Sequence, residues 1–307
     1  MNDKLQKEII SRIVNYENPK RIALSRKFPF LEKPIIFFRC LKRSIQNILN
    51  SRIQVYKNDS FFEFTITKHQ SELRKNADFK NVDLKLQENK IFNMKKAAEK
   101  LNGIVIKPGK IFSFWDIVGN PSSKNGYTEG RVYSIGKIVT GIGGGLCQLS
   151  AFLYWLFLHT PAAILERHPH SLDAFPDSRK NVFSRNGATV LYNFMDLKVR
   201  NDFSHPVQLK IWFTENQING QIVSVTEMQE EFRILEKNHY FIKAYNKIFQ
   251  YNEIYREINK NGEMVKTEKI TANFLQILYN LEDEYIKEND FKVLDLEAIM
   301  EKNEKKT

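Results

Sequence analysis

Cysteine is nearly missing: Cys40 and Cys147 are the only two in 307 residues, too few for a disulfide framework, and no stapled secreted domain is expected. There is no Cys-x-x-Cys pair, and no fourth ligand accompanies Cys147, His168 and His170, so the spacing argues against zinc; neither a metal nor a cofactor is expected. Long apolar runs are lacking as well. Nothing approaches the roughly 18 to 20 uninterrupted apolar residues of a membrane span, and the start Met1-Asn2-Asp3-Lys4 has no secretory apolar core. Repeats and low-complexity blocks are absent. The expected location is the cytoplasm or the periphery of the inner membrane face.

What is present is a globular composition, 42% hydrophobic and 27% charged, with 23 Phe and 12 Tyr that favour β-structure or an aromatic-rich core. The net charge is +11 and is unevenly placed, residues 1–60 carrying 13 Lys or Arg against 5 Asp or Glu. Such a flank can sit on anionic lipid, on nucleic acid, or in water. Ile35, Ile36, Phe37 and Phe38 beside Arg39, Lys42 and Arg43 place lipid ahead of nucleic acid, which is not an expected partner.

From Leu5 to Leu49 the apolar residues recur at mixed helical spacings broken at Pro19, Pro29 and Pro34, which predicts short amphipathic helices joined by turns. A helix is expected over Glu88–Leu101, with Ile91, Met94, Ala98 and Leu101 on one face and Asn102-Gly103 as its stop. Gly103–Gly109 reads as a short strand into a turn and Ile111–Phe114 as a further apolar patch, and Arg131 to Val139 contains a Gly136-centred turn between two short strand-like runs. Cys147 to His159 is apolar almost throughout, a helix about 20 Å long buried on all sides, ended by Thr160-Pro161. Strands are then expected at Ala188–Tyr192, Leu197–Arg200 and Val207–Phe213, with a hairpin at Asn219-Gly220 and a turn at Asn261-Gly262. Leu278–Thr307 reads as a frayed helix or tail.

The chemistry concentrates between Gly141 and Ser171. Gly141, Gly143, Gly144 and Gly145 permit unusual backbone dihedrals and close approach of N–H groups to an oxygen, but the Lys-Ser or Lys-Thr of a nucleotide-binding loop does not follow. Cys147 opens the apolar helix, where the positive end of the dipole favours thiolate. The N–H groups of Gly143 to Cys147 could then hold an oxyanion. In Glu166-Arg167-His168-Pro169-His170-Ser171 either histidine could serve as base. The bland alternative is a buried structural thiol beside loop histidines.

Lys107-Pro-Gly-Lys-Ile-Phe-Ser-Phe114, Val118-Gly119, Gly126-Tyr127, Gly141-Ile-Gly-Gly-Gly-Leu-Cys-Gln148, Glu166-Arg-His-Pro-His-Ser171 and Asp196-Leu-Lys-Val-Arg-Asn201 together resemble the VanW family over about residues 90–215. The resemblance implies a link to the bacterial cell wall and, for some members, L,D-transpeptidase activity through a cysteine acyl-enzyme. Carried over, Cys147 becomes the nucleophile and His170 the first choice of base, with His168 second. Gly143, Gly144, Gly145, Gln148, Arg167 and Ser171 become the substrate-binding set. Many members have Asp before Ala-Thr where this chain has Gly187, so Asp196 or Asp173 would supply the orienting carboxylate. The expected partner is a peptidoglycan peptide or precursor, with an anionic membrane surface at the basic arm. A non-catalytic accessory that binds precursor or membrane is the rival reading.

The expected fold is α+β, in three parts. Residues 1–80 form a basic helical arm, 81–227 a central domain with a buried helix on a mainly antiparallel sheet, and 228–307 a β-rich extension with a charged tail.

Overall fold

The computed structural model describes residues 3–17, 28–50, 53–74, 84–134, 137–170, 172–173, 182–279, 286 and 291–296. Two helices come first, α1 (Asp3–Glu17) and α2 (Glu32–Leu49). Pro34 lies in the first turn of α2 and does not interrupt it, because the N–H that proline lacks has no partner inside the helix there. Pro19 lies outside the described residues. The arm is not wholly helical: β1 (Tyr56–Lys57) and β2 (Phe64–Glu72) are strands of the central sheet. Phe64, Thr65, Ile66 and Thr67 in succession suit an extended, half-buried strand better than a helix.

The remaining helices are α3 (Leu84–Leu101), the short α4 (Phe114–Val118), α5 (Leu146–Leu158) and α6 (Val182–Arg185). Among them run β3 (Ile104–Ile106), β4 (Ile111–Ser113), β5 (Glu129–Ser134), β6 (Lys137–Ile142), β7 (Ala163–Glu166) and β8 (Leu172–Asp173). Beyond them come β9 (Lys198–Arg200), β10 (Val207–Phe213) and β11 (Gln217–Ser224). The chain closes with the long strands β12 (Glu230–Ala244), β13 (Lys247–Lys260) and β14 (Glu263–Ile277), and with β15 (Lys292–Asp295).

The fold is α+β, as its sequence pattern predicts. The central sheet has the order β1-β3-β10-β11-β2 and every pairing in it is antiparallel. Helix α5 packs on it together with α3, and Phe112, Phe152, Leu153, Tyr154, Leu156 and Phe157 are all essentially buried in one core. Each large side chain enclosed this way contributes about 1.5–3 kcal/mol. A smaller sheet, β4-β9-β7, and the β5-β6 pair complete this part. The residues of the turn expected at Gly136 lie outside the described ones, but the strands on either side pair from Glu129–Ile142 to Ser134–Lys137.

Asn219-Gly220 does not form the expected hairpin turn. It lies inside β11, and the chain reverses before it, at residues 214–216, where the Thr214 N–H donates to the Gln217 carbonyl at 2.9 Å. Gly220 answers to packing: a Cβ there would stand 2.7 Å from Phe152 Cε1 and 2.9 Å from Leu156 Cδ1, so the missing side chain lets α5 sit down on the sheet. The β13–β14 turn falls where the sequence puts it, with Asn261 and Gly262 at φ 52° and 81°. The β12–β13 turn uses Tyr245 and Asn246 at φ 51° and 54°, the paired positive φ of a two-residue hairpin.

The C-terminal sheet, β15-β12-β13-β14-β8, takes its cover from the opposite end of the chain. Leu5, Ile9 and Ile13, spaced one helical turn apart on α1, are buried against Tyr240, Ile242, Phe249 and Tyr251. The expected tail also contributes: β15 pairs in parallel with Tyr240–Lys243, and Leu296 is buried in the same cluster. The rest of 280–307, apart from 286 and 291–296, lies outside the described residues. Replacing Gly220 by Ala is expected to lower unfolding stability by about 1–3 kcal/mol through overpacking. Asn219→Ala next to it should move the urea midpoint far less, and equal shifts would contradict the packing account.

Candidate functional site

The glycine loop is shaped by two different needs. Gly143 and Gly145 have φ of 82° and 102°, which side chains rarely adopt. Gly144 is there for room, since a Cβ on it would stand 2.4 Å from the Cα of Gly130 on β5. Asn93, buried on α3, fixes this close approach. Its Nδ2 donates to the carbonyls of Gly144 and Thr128, both at 2.9 Å, and its Oδ1 accepts from the Thr128 N–H at 2.9 Å. Gly143 N–H donates to Thr128 O at 3.0 Å and Leu146 N–H to Gly143 O at 3.4 Å. The N–H groups of Gly144, Gly145 and Cys147 have no backbone acceptor among the described residues. They stand at the positive end of α5, where an oxygen bearing negative charge is favoured.

Cys147 is the second residue of α5 and packs on the main core while keeping part of its surface. Its Sγ donates to the Val190 carbonyl oxygen at 3.5 Å. Burial pushes the thiol above its ordinary value, so the dipole's preference for thiolate, expected from the sequence, is outweighed and the resting sulfur is protonated.

His170 is held by the neighbouring residue of the same segment. Its Nδ1 lies 2.8 Å from Thr189 Oγ1, and a Cβ on Gly187 would stand 2.4 Å from its Cδ2. Thiol and imidazole are thus fastened to consecutive residues, Val190 and Thr189, whose Cα atoms are about 3.8 Å apart. The segment expected as a strand at Ala188–Tyr192 is joined only through single bridges, Thr189 to His168 and Leu191 to Met195. The space a side chain at Gly187 would need is occupied by the imidazole ring.

The other candidates serve different groups. His168 Nε2 lies 2.9 Å from Glu166 Oε1, which also accepts from Arg43 at 2.7 Å and from the Asp196 N–H at 3.0 Å. Burial acts to raise the Glu166 carboxyl, but the hydrogen bonds from His168 and Arg43, with the Arg43 charge and the Asp196 N–H, hold it down to about 2. Asp196 accepts from Ser113 Oγ at 2.6 Å, Trp115 N–H at 3.1 Å and Leu197 N–H at 2.9 Å, so it shapes the corner leading into α4. Asp173 accepts from the Tyr279 hydroxyl at 2.9 Å.

Arg167 lies over the Tyr154 ring at 5.2 Å and donates to Gly187 O, Asn186 Oδ1 and Asn273 Oδ1. It therefore builds the turn beneath His170. Gln148 donates to the Glu72 carbonyl at 2.8 Å, tying the start of α5 to β2, and Ser171 lies outside the described residues. Among the described residues no group of His, Cys, Asp and Glu is arranged to hold a metal ion.

Residues 89–223 match the family model described as VanW like protein. The chain is 34% identical over 201 residues to the Vancomycin B-type resistance protein VanW of Enterococcus faecalis, covering 65% of this chain and 73% of that one. The chain belongs to the VanW family. It is also 27% identical over 120 residues to the Uncharacterized protein YoaR of Bacillus subtilis, 38% of this chain and 37% of that one. No solved structure matches. The VanW match runs from α3 to the end of β11 and so contains the glycine loop, Cys147, His170 and the 187–190 segment. Helices α1 and α2 and the strands β12 to β15 of the C-terminal sheet fall outside it.

Asn93, Gly130 and Val190 belong to the candidate site but to none of the motifs, and Glu166 and Thr189 lie within motifs that give them no role. Asn93 alone leaves a trace, as an amide on the apolar face of a helix otherwise lined by Ile91, Met94, Ala97 and Ala98. Gly187→Ala is expected to displace the His170 ring and shift its imidazole NMR resonances, while Ala188→Gly leaves them in place. Glu166→Gln should lower stability by about 2 kcal/mol, the scale of hydrogen bonds to a charged group. Because the Glu166 carboxyl is depressed in the folded protein, its contribution is full above about pH 4.5 and is lost as pH falls towards 2. Urea midpoints of the wild type and Glu166→Gln should therefore converge in that window, and a constant gap down to pH 2 would show that Glu166 ionisation is not involved.

Proposed function

We propose that this VanW protein acts in peptidoglycan metabolism as a cysteine acyl-transfer enzyme of L,D-transpeptidase type. One observation carries the reading: three N–H groups without backbone acceptors among the described residues, on Gly144, Gly145 and Cys147, lie at the start of the helix that bears the thiol. His170 is bonded to Thr189, the residue next to the Val190 that accepts from the sulfur. The relative's printed name, a vancomycin B-type resistance protein, supports a cell-wall setting.

In this mechanism the thiol is neutral at rest and His170 removes its proton as the sulfur attacks a peptide carbonyl carbon. The C–S bond forms and the loop N–H groups hold the oxyanion. The C–N bond then breaks as His170 returns the proton to the leaving amine. An acceptor amine, deprotonated by His170, attacks the thioester, and the sulfur leaves with a proton. Removal of one oxyanion donor in such sites costs about 3–4 kcal/mol in the barrier.

A second reading, a binding protein without catalysis, is favoured by the protonated thiol donating to Val190. The two readings separate experimentally. Catalysis predicts that Cys147→Ala and Cys147→Ser abolish transfer of a donor stem peptide to an amine acceptor, with His170→Ala about 10²- to 10⁴-fold slower. Binding without catalysis predicts no muropeptide change in either cysteine variant. In both cases alkylation of Cys147 should still be accelerating above about pH 8.5, the ordinary thiol value. Half-maximal alkylation below about pH 7 would overturn the neutral-thiol mechanism.

A further inference from the structure

Helix α2 is fastened to the protein by its polar side. Cys40 Sγ donates to the Tyr192 carbonyl at 3.8 Å, Arg43 donates to Glu166, Asn193 Nδ2 donates to Ser44 Oγ, and Lys198 Nζ donates to Asn47 Oδ1 at 2.7 Å. At about 100° per residue these positions share one side of the helix. Phe37, Phe38, Leu41, Ile45 and Leu49 lie on another arc, and all are exposed: Phe37 63%, Phe38 65% and Leu49 77%. A helix on the surface of a globular protein buries its apolar stripe and shows its polar face to water. Helix α2 does the reverse.

Charge says what covers the stripe. Glu32, at the first position, is the only acidic residue of the 18. Arg43 is neutralised by Glu166, whereas Arg39 and Lys42 are exposed beside the apolar arc. Aromatic and aliphatic side chains on one face with a basic flank suit a helix lying in the plane of a bilayer surface, and the positive excess of the chain adds long-range attraction to anionic headgroups. No helix among the described residues is long and apolar enough to cross a membrane, so contact is in-plane. We infer that the outward face of α2 docks on an anionic lipid bilayer, its Phe37 and Phe38 rings entering the headgroup–acyl boundary and Arg39 and Lys42 meeting lipid phosphates. This inference does not depend on what Cys147 does.

The test is flotation of the full-length chain with phosphatidylcholine vesicles and with vesicles that also contain phosphatidylglycerol. The wild type should float with the anionic vesicles and be released progressively by salt. F37Q/F38Q should reduce partitioning about a hundredfold, roughly tenfold for each ring, with an unchanged unfolding midpoint because both side chains are already exposed. L49Q, at a more exposed position, gives the same readout with a smaller loss should the double variant fold poorly. R39E/K42E should remove the preference for the anionic vesicles. The inference is overturned if the wild type stays unbound to both vesicle types, or if F37Q/F38Q floats like the wild type. Self-association in sedimentation that F37Q/F38Q abolishes, without any lipid binding, would assign the face to a second copy and overturn it equally.

Discussion

Helix α5 has almost no side that tolerates water, and this constraint shapes the rest of the fold. Leu149, Ser150, Phe152, Leu153, Tyr154, Leu156, Phe157 and Leu158 are all buried, so layers must close on the helix from several directions. The sheet closes one through the gap left by Gly220, and α3 another. The start of the helix can approach β5 only because Gly130 and Gly144 both lack side chains, and Asn93 supplies the hydrogen bonds that keep two backbones together there. Enclosure also sets the chemistry of Cys147. Sulfur at the head of a buried helix receives the favourable end of the dipole, worth a fraction of a kcal/mol to about 2. It loses water at the same time, and that loss dominates.

Glu166 links this centre to the arm. One carboxylate receives Arg43 from α2, His168 from its own segment and the Asp196 N–H from the next. An ion pair this well supplied with additional donors holds its geometry where an isolated surface pair would contribute little. Arg167, the next residue, turns the other way into Asn186, Gly187 and Asn273. The alternation of a strand sends neighbouring side chains to opposite faces. The two therefore organise opposite flanks: Glu166 the seating of α2, Arg167 the floor beneath His170 and its tie to β14.

Local pattern was legible wherever one element dictates it. The apolar run after Cys147, the helical face of Ile91, Met94 and Leu101, the α+β class and the Asn261-Gly262 turn all follow from residues close in sequence. The thiol and His170 were legible as candidates for the same reason. What sequence hid was long-range. Asn219-Gly220 looks like a turn until Phe152, far away in the chain, is seen to need the space. Phe64–Glu72 reads as part of a helical arm because the partner that makes it a strand, β11, is about 150 residues downstream. The Ala188-Thr189 pair says nothing of what Thr189 holds and Val190 carries no motif; one contributes through a hydroxyl and the other through a carbonyl that every residue possesses. The loop glycines suggested an anion cradle, while Gly144 is required by the backbone of Gly130.

A protonated thiol has a definite consequence for any acyl transfer here. In an ion-pair site the thiolate exists before substrate arrives, and its lowered pKa makes it a weaker nucleophile as well as a more abundant one. A buried neutral thiol gains its negative charge only while the proton moves, so the cost of desolvating a thiolate falls on the transition state unless donors are already in place to accept the charge that develops. On the proposed reading the N–H groups of Gly144, Gly145 and Cys147, which have no backbone acceptor among the described residues, are such donors. Asn93 holds the Gly144 carbonyl towards α3, so the Gly145 N–H of the same planar peptide points the other way. On that reading Asn93, an amide on another helix, acts on the sulfur only through the loop that it holds.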